Sequence, residues 1–191
     1  MSKFPVFLRY QDLGSYGLTR HGFDRLINEG GYERVAPGSF MRPGVIDGTA
    51  AAWVAIAAKK PRSTLCMMSA LSIHGLTDEI PIHSDIAIPR GQQPVKVEFE
   101  PVSWHRFDPI TFDLGRTEYP LIDGATIGLY SAERTLVDLF RLRHRWGSDI
   151  AHSALKQWLR SPARSIPALL EIAQAFPKAR PALTTALEIL L

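Results

Sequence analysis

Residues 18–41 read LTRHGFDRLINEGGYERVAPGSFM, and this segment predicts a helix followed by a short hairpin. Thr19 is a suitable N-cap, because its hydroxyl can accept a hydrogen bond from the first helical turn. Apolar residues recur at positions i, i+3 and i+4 and form one stripe of the helix, namely Phe23, Leu26 and Ile27. Gly30 and Gly31 follow, and glycine commonly ends helices. We therefore predict a helix over residues 20–29.

The residues after this helix have the composition of a β-hairpin. Residues 32–35 can form one strand, residues 36–38 (Ala-Pro-Gly) have turn chemistry, and residues 39–41 can form the returning strand. A helix, two glycines and a short hairpin in this order are typical of a winged helix-turn-helix. We predict that residues 1–45 form such a DNA-binding module.

The face of the predicted helix opposite its apolar stripe is polar. It carries Arg20, His21, Asp24, Arg25 and Asn28. Arginine and asparagine pair bidentately with guanine and adenine in the major groove, and helix-turn-helix proteins direct such a helix at the bases. Arg34 and Arg42 on the hairpin could hold phosphates. A solvated helix face that binds no ligand is the alternative interpretation.

Residues 46–191 differ from the N-terminal module in their pattern of helix, strand and turn signals, and this pattern predicts a mixed α/β domain. Asp47 is expected to cap an alanine-rich helix over residues 48–59, and residues 63–75 are expected to form a second, apolar helix. Turn signals separate segments with the composition of strands, which are residues 84–90, 95–107, 110–115 and 126–131.

Helical patterns fill the rest of the chain. Ser131 is expected to cap a helix over residues 132–146, with Glu133 in its first turn. Further amphipathic helices are predicted over residues 149–159, 166–176 and 180–191, the last broken at Pro181. The fold class is therefore α+β, an N-terminal winged helix-turn-helix followed by a mixed α/β domain with a small sheet and C-terminal helices.

Composition bounds the class of protein. The chain has 191 residues, 46% of them hydrophobic, which is enough to build a core. The net charge of +3 is mild and by itself proves no polyanionic partner. Cys66 is the only cysteine, so a disulfide framework or a cysteine zinc site is excluded. The first residues lack the apolar region of a signal peptide, and we expect a cytoplasmic protein without a membrane partner.

A basic cluster ends the predicted helix over residues 132–146. It contains Arg141, Arg143 and Arg145. Cations are favoured at a helix C-terminus by the helix dipole, which gives the cluster a purely structural interpretation. A second nucleic-acid surface, completed by Lys156 and Arg160 of the next helix, is the functional alternative, and a surface for a partner protein is the third.

Motifs of common enzymes are missing from the sequence. It contains no GxSxG, Walker A loop, GxGxxG or HExxH. Asp85 and Glu98 on predicted strands faintly resemble a metal-dependent nuclease, but that chemistry usually places a lysine where Glu100 stands. We therefore predict no enzyme, no catalytic residue, no metal and no cofactor.

Longer segments resemble the AbiEi family, the antitoxins and transcriptional regulators of type IV toxin–antitoxin systems. The similar segments are GLTRHGFDRLINEGGYERVAPGSF (17–40), SALSIHGLTDEIP (69–81), IAIPRG (86–91) and SAERTLVDLFRLRHRWGSDIAHSALKQWL (131–159). SALSIHGLT and ERTLVDLFRLR are the most specific of them. The resemblance covers nearly the whole chain, from about Arg9 to the C-terminus.

The resemblance implies an autorepressor that binds inverted repeats of double-stranded promoter DNA. It also implies a C-terminal antitoxin domain, residues 46–191, which counters a nucleotidyltransferase-like toxin without forming a stable complex. The implied DNA contacts on the helix are Thr19, Arg20, His21, Arg25 and Asn28. Those implied on the hairpin over residues 32–41 and just after it, which we call the wing, are Arg34, Ser39 and Arg42. The family has no catalytic residues to transfer.

The sequence departs from the family at its start. A full helix usually precedes the segment RYQDLGSYG, whereas only MSKFPVFL precedes it here. Loss of that helix would weaken the packing of the helix over residues 20–29, which would read the bases and which we call the reading helix. The alternative function is therefore a protein-interaction module, in which the N-terminal fold is degenerate and the C-terminal domain docks a toxin or another partner.

Overall fold

A computed structural model describes residues 4–45, 47–97 and 100–191 of the chain. The N-terminal elements are β1 (Phe7–Arg9), a 3-10 helix (Tyr10–Tyr16), α1 (Arg20–Glu29), β2 (Glu33–Ala36) and β3 (Ser39–Met41). Antiparallel pairing joins the strands in the order β1-β3-β2. Strands β2 and β3 form the hairpin of the wing, and β3 lies at the centre of the sheet. The predicted succession of a helix and a hairpin is confirmed, and β1 adds a third strand.

Helix α1 forms over the predicted residues because local signals define both of its ends. The Thr19 hydroxyl accepts a hydrogen bond from the Gly22 amide over 3.1 Å. At the other end, a Cβ on Gly30 would lie 2.5 Å from the Leu26 carbonyl oxygen, so only glycine fits. Gly31 follows with φ of +66°, in the left-handed region that glycine adopts without strain.

An aromatic cluster attaches α1 to the small sheet. The Phe23 ring lies 4.8 Å from the Tyr10 ring and 5.7 Å from the Phe40 ring, measured between centroids. Leu8 and Ile27 are buried in the same cluster. The 3-10 helix contributes Tyr10, and therefore one face of α1 is fixed while the opposite face stays in solvent.

The body of the protein contains a second, five-stranded sheet and several helices. Its strands are β4 (Thr64–Leu65), β5 (Ser84–Pro89), β6 (Val102–Phe107), β7 (Arg116–Pro120) and β8 (Thr126–Tyr130). Its helices are α2 (Gly48–Lys59), α3 (Met67–Ile73), α4 (Ala132–Arg141), α5 (Arg143–Trp146), α6 (Ser148–Arg160), α7 (Ile166–Gln174) and α8 (Arg180–Leu190). A short 3-10 helix spans Ile122–Gly124. The strand order is β6-β5-β4-β8-β7, with β4–β8 and β5–β6 parallel. The α+β class is confirmed.

Three predictions for the second sheet are wrong. The strand expected over residues 95–107 forms only over Val102–Phe107, and residues 95–97 are not in a strand. Residues 64–65 form the central strand β4 rather than the start of a helix, because β5 and β8 pair with them on both sides. Residues 110–115 form turns, and the strand is β7, which follows them. Periodicity cannot separate short apolar strands from helices or turns, since long-range pairing decides between them.

Two predictions for the C-terminal helices also need correction. The helix expected over residues 132–146 divides at Leu142, where α4 ends and α5 begins. Pro181 does not break α8, because it lies in the first helical turn. A proline there removes an amide that has no intrahelical partner in any case.

Helix α4 is the centre of the C-terminal core. Its apolar residues Leu136, Val137, Leu139 and Phe140 are fully buried against α3, α6, α7 and α8. Arg134 of the same helix is also fully buried, and its Nε donates to Asp138 Oδ2 over 3.0 Å. Its Nη1 donates to the carbonyl oxygens of Thr111 and Leu114. The segment ERTLVDLFR therefore supplies the core and the charged pair within it.

The N-terminal module and the body share a hydrophobic cluster. Val35, Ala36 and Met41 of the wing pack with residues of α2, including Val54. The Asp123 carboxylate accepts hydrogen bonds from the amides of residues 6 and 7. The boundary predicted near residue 45 is therefore crossed by packing. Within the described residues, no helix is both long and apolar enough to cross a membrane.

Candidate nucleic-acid interface

The outer face of α1 presents a row of polar side chains. His21, Arg25 and Asn28 follow at i, i+4 and i+7, a spacing that places them along one stripe of a helix. All three are exposed, on the side opposite the buried residues Phe23 and Ile27. In the part of the chain that the structure describes, their side chains have neither a hydrogen bond nor an ion pair. The stripe can therefore meet a ligand without breaking contacts.

The remaining charges on α1 are held near the 3-10 helix. The Tyr10 hydroxyl donates to the Asp24 carboxylate, and this hydrogen bond is the main reason why the pKa of Tyr10 is raised. The Arg20 guanidinium lies 5.9 Å from the centre of the Tyr10 ring and stays exposed. The contact holds the Asp24 side chain toward the 3-10 helix.

Thr19 has a structural role that its predicted DNA contact did not include. Its hydroxyl caps the first turn of α1, as described above, and the residue is exposed. A capped N-terminus keeps the first amides of the helix in place, where the partial positive charge of the helix dipole favours an anion. Thr19 thus positions the end of α1 that carries Arg20 and His21.

The wing residues differ in accessibility. Arg34 on β2 is exposed, as predicted for a phosphate contact. Ser39 on β3 is only 1% exposed, so its side chain is not accessible to DNA, and its predicted contact with DNA is wrong for this structure. Arg42 is partly buried, and its guanidinium lies 4.9 Å from the centre of the Tyr32 ring. A cation over an aromatic ring is held in place, so Arg42 braces the wing.

A basic cleft lies beside the wing, and sequence reasoning missed it. It measures about 620 Å³ between the wing turn, the 3-10 helix, the end of α2 and residues 94–96. Its lining includes Lys59, Lys60, Lys96 and Arg9, which is paired with Asp12, and no carboxylate lines it among the described residues. Three of the chain's six lysines thus line one cleft. They come from segments far apart in sequence, so no local pattern could have found them.

The charges around the cleft act on one another. The pKa of Lys59 is lowered, first by partial burial and second by the positive charge of Arg34. Two cations that are close enough to shift a pKa create a positive potential between them. An anion in the cleft would relieve this repulsion. The cleft is therefore suited to phosphate, and Arg34 connects it to the wing.

The second basic surface predicted near the end of α4 is divided by the structure. Arg141 donates two hydrogen bonds to Asp138 Oδ1 and lies 4.7 Å from the centre of the Phe107 ring. Arg143 donates to the carbonyl oxygens of Phe140 and Lys178. These contacts agree with the structural interpretation of the two arginines rather than with a second nucleic-acid surface. Exposed positions remain at Arg145, Lys156 and Arg160.

The candidate nuclease residues do not assemble into a centre. Glu98 lies outside the described residues, and Glu100 accepts a hydrogen bond from the Thr49 hydroxyl over 3.0 Å. Asp85 is fully buried and accepts from His105 Nε2 over 2.8 Å. Across the described ranges, no group of three histidine, cysteine or acidic side chains could hold a metal ion.

A serine–histidine–aspartate relay is also excluded at this position. The Ser103 hydroxyl lies 3.4 Å from Nε2 of His105, the same ring nitrogen that contacts Asp85. A relay needs the serine and the aspartate on different ring nitrogens, because the proton is taken at one while the other is held. The arrangement of Asp85, Ser103 and His105 is therefore a buried polar cluster.

Comparison with known proteins gives a structural relative. The chain matches no family model and no curated protein. Among solved structures it is similar to the RV2827C protein from Mycobacterium tuberculosis, with a TM-score of 0.61 and 16% sequence identity. The match covers 97% of this chain and 71% of that chain. At this identity the likeness establishes a shared fold.

Proposed function

We propose that this protein binds double-stranded DNA through α1 and the wing and regulates transcription. The observation that carries the proposal is the exposed stripe of His21, Arg25 and Asn28 on a helix whose other face is fixed to a small sheet. A reading helix needs this combination, because bases are recognised by side chains whose backbone does not move.

The dimensions of α1 suit the major groove. An α-helix with its side chains is about 10–12 Å in diameter, and the major groove is about 12 Å wide, so α1 can enter the groove. Arg25 and Asn28 carry the donor and acceptor patterns that guanine and adenine match. Arg20 and His21, near the capped N-terminus, lie where helix-turn-helix proteins contact bases.

The basic cleft supports the proposal with contacts to the backbone. A duplex seated on α1 would bring phosphates toward the wing, where Arg34, Lys59 and Lys60 provide positive charge. Phosphate contacts fix the register of a protein on DNA, and side chains in the groove then read the sequence. The two groups of residues thus have complementary roles.

The biological role that we propose follows the AbiEi resemblance. In that role the protein is an autorepressor that binds inverted repeats of its own promoter. It is also the antitoxin of a type IV, abortive-infection system, countering a nucleotidyltransferase-like toxin without a stable complex. The N-terminal module, residues 1–45, would carry repression, and the C-terminal domain, residues 46–191, would carry antitoxin action.

Fluorescence anisotropy on the gene's own upstream DNA tests the proposal. Titrations at about 50 and 200 mM salt should differ in affinity by orders of magnitude, since phosphate contacts release counterions. An unrelated duplex of equal length should bind more weakly. Absence of binding at the lower salt concentration, or binding that ignores salt, would refute the proposal.

A separate experiment addresses antitoxin action. Co-expression with a cognate nucleotidyltransferase-like toxin should restore growth. Arg25→Ala should abolish repression of a promoter fusion while it leaves growth rescue intact, because Arg25 belongs to the reading helix. If Arg25→Ala loses both promoter repression and growth rescue, the division of roles between residues 1–45 and residues 46–191 is contradicted. If the natural protein fails to restore growth, the antitoxin role is refuted.

A protein-interaction module is the second candidate function. Ile80 and Ile82 are 91% and 87% exposed on one segment of the body, and isoleucines so close together are the kind of surface that partners cover. Co-purification with the product of the neighbouring gene at high salt would support this function. Clean separation of the two proteins would count against it.

A further inference from the structure

A second cavity, which we call the α2 pocket, lies in the body of the protein. It measures about 570 Å³ and is formed by α2, α3 and the segments around residues 80–84 and 119–122. Ligand pockets in proteins measure about 300–1,000 Å³, so this cavity has room for a small organic molecule. It shares no lining residue with the basic cleft. The α2 pocket is therefore a separate site.

An aromatic pair forms one wall of the α2 pocket. Trp53 of α2 and Tyr119 of β7 both line it, and both are partly exposed. Their ring centroids lie 6.0 Å apart with the ring planes at 82°, and the Trp53 indole N–H donates to Ser84 Oγ over 2.8 Å. Ile80, which is 91% exposed, extends the apolar lining. Since aromatic faces also attract cations, this wall suits an apolar ligand that carries a positive charge.

Two carboxylates line the same pocket at the N-terminus of α2. Asp47 caps the helix through Oδ1, which accepts from the Ala50 amide over 2.8 Å. Glu100 Oε1 accepts from the Thr49 hydroxyl over 3.0 Å, and its Oε2 lies 3.6 Å from the place of a Cβ on Gly48. Asp47 is exposed and Glu100 is partly exposed, so a ligand in the pocket can reach these side chains. Hydrogen bonds within the described residues occupy one oxygen of each carboxylate and leave the other available.

The charge of the α2 pocket is opposite to that of the chain. The whole sequence has 22 lysines and arginines against 19 acidic residues, yet no lysine or arginine lines this pocket among the described residues. The end of a helix contributes only about half a positive charge, which is less than the two carboxylates contribute in negative charge. His83 also lines the pocket, and its Nε2 lies 3.3 Å from Oδ1 of Asp85. The pocket therefore favours a cation.

We propose that the α2 pocket binds a small organic cation, an amine whose protonated nitrogen is attached to an apolar body. The ammonium N–H groups would donate to Asp47 and Glu100, and the apolar body would cover Trp53, Tyr119 and Ile80. Hydrogen bonds between charged groups are about twice as strong as neutral ones, so the charge of the ligand should decide its affinity. None of the lining residues lies on α1 or the wing, and the proposal is independent of DNA binding.

Other ligand classes fit these groups less well. An anion would be repelled by Asp47 and Glu100. A neutral hydrocarbon would take water from the two carboxylates and return no hydrogen bond. A metal ion lacks ligands, because across the described ranges no group of three histidine, cysteine or acidic side chains could hold one.

The test uses 2-phenylethylamine and the matched control 2-phenylethanol, in which a neutral hydroxyl replaces the ammonium group. Titrations are made at about pH 8, where alkylamines are charged and ordinary imidazoles are neutral. Calorimetry measures affinity, and the ¹⁵N-labelled protein is followed at the Trp53 indole resonance, assigned by its disappearance in Trp53→Phe. We expect the amine to shift this resonance and to bind at least about tenfold more tightly than the alcohol.

A pair of isosteric substitutions tests the two carboxylates. Asparagine caps helices as well as aspartate does, and glutamine keeps a carbonyl oxygen for the Thr49 hydroxyl. Asp47→Asn/Glu100→Gln therefore removes both charges and keeps these contacts, and it should bind the amine and the alcohol with similar affinity. Glu171→Gln/Glu188→Gln removes two exposed charges from α7 and α8 and should keep the full preference for the amine.

Three outcomes would overturn the proposal. The first is equal affinity of the natural protein for 2-phenylethylamine and 2-phenylethanol. The second is an unchanged preference for the amine in the folded Asp47→Asn/Glu100→Gln protein. The third is a Trp53 indole resonance that the amine does not move up to its solubility limit. If the double variant does not fold, Glu100→Gln alone decides, because it should reduce the preference several-fold.

Discussion

Helices α1 and α4 are both 10 residues long, and a hydroxyl side chain caps each of them, yet their arginines occupy opposite environments. On α1, Arg20 and Arg25 are exposed. On α4, Arg134 is fully buried, and every residue from Arg134 to Phe140 is buried with it. The same residue type therefore faces a ligand in one helix and supports the core in the other.

The difference arises from the number of neighbours around each helix. Helix α1 packs one face on a three-stranded sheet and an aromatic cluster, so more than half of its circumference remains in solvent. Helix α4 contacts α3, α6, α7 and α8. A polar face survives only where no element covers it. The arrangement of the surrounding elements thus assigns each arginine its role.

The buried arginine needs partners that the exposed ones do not. Arg134 contacts Asp138 and two carbonyl oxygens, and its guanidinium lies 4.2 Å from the centre of the Tyr130 ring and 4.6 Å from that of Phe176. Arg141 donates to the other oxygen of Asp138. Asp138 therefore connects two arginines, and the loss of either arginine leaves this buried carboxylate with a single charged partner.

The largest expected effect is on stability, in Arg134→Met. Methionine removes the charge and leaves Asp138 buried with only Arg141 as a partner, so we expect a loss of about 3–5 kcal/mol in the free energy of unfolding. Urea denaturation followed by circular dichroism measures it. The matched control is Arg145→Ala, an exposed arginine, which should change stability by less than about 0.5 kcal/mol. Equal losses in the free energy of unfolding for the two variants would contradict the assignment of Arg134 to the core and of Arg145 to the surface.

The second prediction concerns the exposed arginine of α1. Arg25→Ala should weaken binding to the operator by about 1–3 kcal/mol and relax base preference at one position, because a bidentate contact to a base is lost. Stability should not change. Anisotropy on the operator and on single-base variants measures both effects. If the substitution weakens all sequences equally, Arg25 contacts phosphate instead of a base.

The third prediction extends the comparison to the basic cleft. The double variant Lys59→Ala/Lys60→Ala should weaken binding equally on operator and unrelated DNA. It should also lower the salt slope by about 1 for each phosphate contact removed. Lys156→Ala/Arg160→Ala removes the same number of exposed charges from α6 and serves as the control. A similar loss in the control would place the phosphate contacts on the body's other basic surface.

The smallest expected effect is a pH dependence. Because the pKa of Lys59 is lowered, this amine loses its charge at a lower pH than an ordinary lysine, whose pKa is about 10.4. DNA affinity should therefore begin to fall, by a few-fold in total, at a pH below that at which an ordinary lysine loses its charge. Lys59→Arg should keep its affinity as pH rises, since arginine stays charged. Identical pH profiles for the two proteins would exclude Lys59 from the interface.

Elements with strong local signals were predicted from sequence with accurate ends. Residues 20–29 and 48–59 form helices as predicted, because Thr19 and Asp47 accept hydrogen bonds from the first turn of each helix. The turn at Gly38, with φ of +69°, was predicted for the same reason. Capping and turn chemistry involve neighbours within a few residues, so the sequence contains all the partners.

Elements that depend on distant partners were missed or misplaced. Strand β4 is two residues long and exists because β5 and β8 pair with it. Ser39 was predicted to contact DNA, but its side chain is only 1% exposed once the small sheet has formed. Arg141 had a basic surface as one of its interpretations, but Asp138 and Phe107 hold it. None of these neighbours is visible from local spacing.

Sequence by itself determined the α+β class, the succession of helix and wing, and the polar stripe on α1. These follow from periodicity and capping, whose interactions span only one or two helical turns. Tertiary structure alone decided which arginines are exposed, how the basic cleft forms beside the wing, and why Asp85 is buried against His105. Burial and pairing depend on segments separated by tens of residues, and only the folded chain brings them together.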